Sequence, residues 1–173
     1  MAKQKISKIS RVLSIYYLLL YCKEVSWAEL APLSTCKKTI QRDIALIRQA
    51  GGLVRFRKTQ DIHGYVMESK ELADQIPTEN EAQQRLILKL RRLFLFMPYL
   101  DAEEDCDIRY RELFPDVSKR TMQRDFAELN KLGFNIRYER DLLVLGYDPD
   151  EPHPKGGRYL NDYLDAYGLS TLR

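Results

Sequence analysis

Two fifteen-residue stretches, KKTIQRDIALIRQAG from Lys37 to Gly51 and KRTMQRDFAELNKLG from Lys119 to Gly133, align without a gap 82 positions apart. Seven positions are identical: Lys37/Lys119, Thr39/Thr121, Gln41/Gln123, Arg42/Arg124, Asp43/Asp125, Ala45/Ala127 and Gly51/Gly133. A chain that carries one helix-length phrase twice is expected to build the same local structure twice. Its 173 residues therefore point to two small domains rather than one. Each lies near the lower size limit for a self-sufficient core.

Around the first phrase, Val12, Leu13, Ile15, Tyr16, Leu19 and Leu20 recur at intervals of three and four, which predicts a core-facing helix capped by Ser10. Ser26 and Glu29 have capping-box spacing, so a short second helix is expected over Trp27 to Leu33. The repeated phrase is the third helix, from Cys36 or Lys37 to Ala50, and Gly51-Gly52 closes it. LVRFRK and HGYVM on either side of TQD then read as a two-stranded hairpin.

The same order is legible again. QRLILKLRRLFLF gives a first helix, Ile108 a short strand, YRELF a second helix, the Lys119 phrase a third, and FNIRYERDLLVLGY a hairpin. Arg55/Arg137 and Gly64-Tyr65/Gly146-Tyr147 keep the 82-residue spacing. The expected fold is mainly α with small β-hairpins, an α+β arrangement of two tandem winged helix-turn-helix domains and a short C-terminal helical tail. The first domain spans 1–69, a linker 70–78, the second domain 79–147, and an acidic loop with the tail 148–173. A Thr78/Glu81 capping box is expected to open the second domain's first helix.

Charge separates the halves. Residues 1–69 hold 12 Lys and Arg against 5 Asp and Glu, a balance of +7, whereas residues 70–173 hold 16 against 20, a balance of −4. The first half is suited to an anionic partner, and double-stranded DNA is the commonest for a basic domain. A DNA major groove admits one α-helix; Arg can bridge guanine O6 and N7, and Gln can bridge adenine N6 and N7. Gln41, Arg42, Gln123 and Arg124 are expected to face the groove. Lys37, Lys38, Lys119 and Arg120 supply cations at the helix starts, with Thr39 and Thr121 beside the turn. Arg55, Arg57, Lys58 and Arg137 lie on the hairpins. Asp43 and Asp125 would repel phosphate, so each is expected to turn inward to the arginine opening its first helix, Arg11 and Arg85.

These residues resemble the DeoR-type (HTH-11) winged helix of the DeoR and WYL-domain bacterial transcription regulators. That pattern is close to Ser-x-x-Thr-aliphatic-x-Arg-Asp, then a Gly, then a wing ending in Gly-Tyr. The likeness covers residues 8–67 and, more loosely, 82–147. Ser118 keeps the motif's capping residue, whereas Cys36 replaces it in the first copy. The resemblance implies a third helix in the major groove and a wing on the adjacent backbone. No WYL or sugar-phosphate effector domain is recognisable.

The expected function is thus a sequence-specific DNA-binding transcriptional regulator, cytoplasmic, bacterial or phage in type, with no cofactor and no metal. A homodimer through the second domain or the tail stays open. Alternatives are a plasmid or phage replication initiator, which also uses tandem winged helices, and a winged-helix protein-interaction module. An enzyme is not expected, because His63 and His153 have no paired nucleophile. Cys22, Cys36 and Cys106 lack metal-binding spacing and read as reduced thiols. The apolar run Val12 to Cys22 is too short to cross a bilayer.

Overall fold

The computed structural model describes residues 6–34, 36–101, 105–134, 136–139 and 144–147. The expected acidic loop and C-terminal helical tail, 148–173, and with them His153, lie outside them. The chain is mixed helix and small antiparallel hairpins, and it divides into two compact units, Met1–Arg91 and Arg92–Arg173. No helix among the described residues is long and apolar enough to cross a membrane.

In the first unit, α1 (Lys8–Tyr21) is capped by Ser7 rather than Ser10: the Ser7 hydroxyl accepts from the Ser10 N–H at 3.1 Å. Ser10 is buried one turn inside the helix, where its carbonyl accepts from the Ser14 hydroxyl. The capping box of α2 (Trp27–Leu30) forms as expected, but the helix ends three residues before Leu33. In α3 (Lys37–Gln49), Ile40, Ile44 and Ile47 are buried on one face, each stabilising the fold by about 2 kcal/mol. Gly51 then takes φ 104°, the left-handed conformation that ends the helix. The hairpin pairs β1 (Leu53–Lys58) with β2 (His63–Ser69). Val25 adds a bridge to Tyr65 in both hydrogen-bonding directions, at 2.8 and 2.9 Å. Glycine is needed at position 64 because a Cβ there would meet the Val25 carbonyl oxygen at 2.6 Å.

The segment 70–78, read from sequence as a linker, has no regular structure but is fastened to the end of α3. Ala73 N–H donates to the Gly51 carbonyl and Ile76 N–H to that of Gln49, both at 2.9 Å. The next helix, α4 (Glu81–Phe96), starts within the first unit and ends in the second. Asn80 caps it, with Oδ1 accepting from the Gln83 N–H at 3.0 Å, in place of the expected Thr78/Glu81 box. Arg91, at the end of the first unit, donates to the Ala50 carbonyl at 3.0 Å and the Ala73 carbonyl at 2.5 Å.

In the second unit a short 3-10 turn (Met97–Asp101) follows α4, then α5 (Cys106–Leu113), α6 (Lys119–Asn130), and β3 (Ile136–Glu139) paired with β4 (Val144–Tyr147). Ile108 does not form the expected strand; it lies inside α5 and is exposed. The core here holds a cluster of rings: Phe96, Tyr110 and Phe126 meet with ring centroids 5.3–5.4 Å apart.

Candidate nucleic-acid interface

Helices α3 and α6 present the same face. Lys37/Lys119, Lys38/Arg120, Gln41/Gln123, Arg42/Arg124 and Ala45/Ala127 are exposed in both copies. Thr39/Thr121 are half-buried and tied to the helix start: the Thr121 and Ser118 hydroxyls lie 3.1 Å apart, and the Thr39 N–H donates to the Cys36 carbonyl at 3.0 Å. Among the described residues, Arg42, Arg120 and Arg124 have no ion-pair partner, so their donors are available to a ligand.

The aspartate inside each phrase is turned inward and neutralised. Asp43 is paired with Arg11 of α1, which donates from Nε and, at 3.2 Å, from a terminal nitrogen. Asp125 is paired at 3.0 Å with Arg92, not with the expected Arg85, and also accepts from the Tyr110 hydroxyl at 2.7 Å. Arg85 instead meets Glu81 on the helix exterior at 3.3 Å. The reason is where the helix starts: α4 begins about two turns earlier relative to its paired arginine than α1 does, so Arg92, seven residues beyond Arg85, holds the position that Arg11 holds in α1. Burial and the Asp125 charge push the Tyr110 hydroxyl well above the ordinary tyrosine range, so it stays a donor to that carboxylate.

The hairpin residues divide between two faces. Arg55 and Arg57 flank Glu68 of β2 at 2.9 and 3.5 Å, so their charge is partly compensated, while Lys58 is exposed at the strand end. Arg137 is exposed on β3. On the alternate face of the first hairpin, Phe56 stands opposite Tyr65, rings 5.3 Å apart, with His63 at 5.7 Å. These three rings, with Trp27, Lys37 and Gln41, line a groove of about 430 Å³ beside α3. Along its other flank, Arg42, Ala45 and Gln49 border a second groove of about 520 Å³ with Lys8, Asn80 and Gln83.

Helix and hairpin are locked together at equivalent positions by different chemistry. Arg48 Nε donates to the Val54 carbonyl at 2.8 Å; 82 residues on, the Asn130 amide exchanges two hydrogen bonds with the Ile136 backbone at 2.8 and 2.9 Å. The sequence reading missed the aromatic wall and gave α4 the cap Thr78 in place of Asn80. The visible signal was Phe56 set between Arg55 and Arg57, an apolar residue in a strand too basic to be buried.

Cys36, at the N-cap of α3, is exposed and makes no side-chain capping bond. The backbone N–H of Thr39, then its hydroxyl and the N–H of Lys38, lower the thiol's pKa below the usual range.

Comparison with protein-family models, curated proteins and solved structures returns no match.

Proposed function

We propose that the protein is a sequence-specific DNA-binding transcriptional regulator, built of tandem winged helix-turn-helix domains that read the major groove with α3 and α6. One observation carries this reading. Within the repeated phrase the buried apolar positions all differ, Ile40/Met122, Ile44/Phe126, Ile47/Leu129 and Ala50/Leu132, whereas the exposed Lys37, Gln41, Arg42 and Ala45 recur unchanged. Packing alone would favour the opposite, since an exposed helix face with no ligand is free to vary. The other three identities have local reasons: the threonines tie to the helix start, the aspartates to a buried arginine, and Gly51 and Gly133 take φ near +100°. What recurs without a folding reason is Lys37, with the Lys38/Arg120 charge beside it, and one Gln-Arg pair, and these are groups suited to phosphates and base edges.

The test is binding to random and selected duplex DNA across a salt series, for the wild type and for Arg42→Ala and Arg124→Ala. The logarithm of affinity should fall linearly with that of salt, with a slope of about −0.9 per phosphate neutralised. Each variant should lose about 1–3 kcal/mol at one half of a two-part site. Loss for Arg42→Ala alone would restrict reading to the first unit, and absence of salt-dependent binding by the wild type would overturn the proposal.

A further inference from the structure

The groove between α2, α3 and the first hairpin is an odd companion for duplex DNA, which offers phosphates and base edges but keeps its base faces stacked. Its walls are chiefly aromatic carbon: Trp27, Phe56 and Tyr65, with His63 at one end. Phe56 is 52% exposed, a ring with no role in the core. Lys37 is held over the Trp27 ring, its Nζ 5.3 Å from the centroid, which fixes one cation at the groove's mouth. Gln41 supplies an amide beside it.

The walls are also preformed. The Ser26/Glu29 capping box sets the start of α2, the double bridge from Val25 to Tyr65 fastens it to β2, and Arg48 fastens β1 to α3. A rigid cleft of stackable rings with a cation at its edge, in the half of the chain carrying +7, matches the chemistry of an unpaired nucleotide, which presents the π faces of its base and a phosphate together. Its volume suits a ligand of that size.

We infer that this groove binds an unpaired nucleotide of single-stranded DNA, with Phe56 and Trp27 stacking on the base and Lys37 meeting its phosphate. The inference rests on the nucleic-acid reading and adds a second mode of binding to the same face.

Trp27 is the only tryptophan, so its fluorescence reports this groove directly. Titration of the full chain with oligothymidylate should quench Trp27 emission, and a duplex of equal length should quench it far less. Phe56→Leu keeps an apolar side chain but cannot stack and should bind the single strand about tenfold more weakly, whereas Phe56→Tyr should bind like wild type. Because Phe56 is half exposed, neither change touches the core, and circular dichroism checks folding.

Duplex binding with no quenching by single strands, or equal affinity for Phe56→Leu and wild type, would overturn the inference and leave the duplex reading standing. Failure to bind either form of DNA would overturn both.

Discussion

Replacing Asp43 by alanine separates folding from recognition in the repeated phrase. The carboxylate is 1% exposed and its partner Arg11 is 15% exposed. Removing one member of such a pair leaves the other charge poorly hydrated and costs about 3 kcal/mol, toward the lower end for buried pairs because the guanidinium keeps some access to water. For a unit of this size each kcal/mol moves the melting temperature by roughly 4–8 °C, so Asp43→Ala should melt about 15 °C lower. Arg11→Met with Asp43→Leu, which removes both charges and restores apolar volume, should regain most of that loss. Calorimetry or urea titration gives the stabilities, and a double-mutant cycle isolates the coupling between the two residues. DNA affinity, measured well below the lower melting point, should change by no more than about twofold, because the residue faces α1 and not solvent. The reasoning fails if the melting temperature stays within 2–3 °C of wild type by the same scale, or if affinity falls while stability holds.

Four other outcomes follow from particular side chains. Asp125→Ala should cost more than Asp43→Ala, by roughly 1 kcal/mol on urea unfolding, because it also strands the buried Tyr110 hydroxyl. Among the three thiols, Cys36 should react first with iodoacetamide at neutral pH, as mass spectrometry would show, since it is exposed with a lowered pKa while burial raises Cys22 and Cys106. The Cys106 thiol is pushed up to about 12 by burial and the nearby Asp105 charge; below about pH 8 both folded and unfolded states keep the proton, and above it the unfolded state loses it first. Stability measured by urea midpoint should therefore be insensitive to this group below about pH 8 and fall from there to about pH 12, with a weaker fall from about pH 9 to 10 in Cys106→Ala. Glu68→Gln should release Arg55 and Arg57 and tighten duplex binding by about threefold at low salt, the gain fading as salt rises.

Much of the architecture was legible because it depends on local chemistry. The capping box at Ser26, the glycine that closes α3 and the alternation through Arg55 and Arg57 each involve residues within one or two turns, and α2 starts, α3 ends and β1 runs where those signals put them. The inward turn of both aspartates was also legible, since a carboxylate amid cations on an exposed helix has few other uses. What the sequence left hidden was any choice between equivalent partners. Arg85 and Arg92 lie seven residues apart on one helix and so share a face; only the point at which α4 meets its own core selects between them.

That selection revises the repeat itself. With Arg92 as the counterpart of Arg11, the first helices are offset by 81 positions and the third helices and hairpins by 82, so the core segments differ by a single residue. α4 starts earlier relative to that counterpart, its extra turns, residues 81–88, lying ahead of the position equivalent to Lys8, and Arg91 just after them donates to the carbonyls of Ala50 and Ala73. Those turns have no equivalent before α1 among the described residues, where Ser7 caps the helix only four residues ahead of Arg11. An extension of this kind leaves no trace in the periodicity, because extra turns continue the same pattern. It is visible only when an interaction across the fold, here a carboxylate 33 residues away, marks where the repeated part begins.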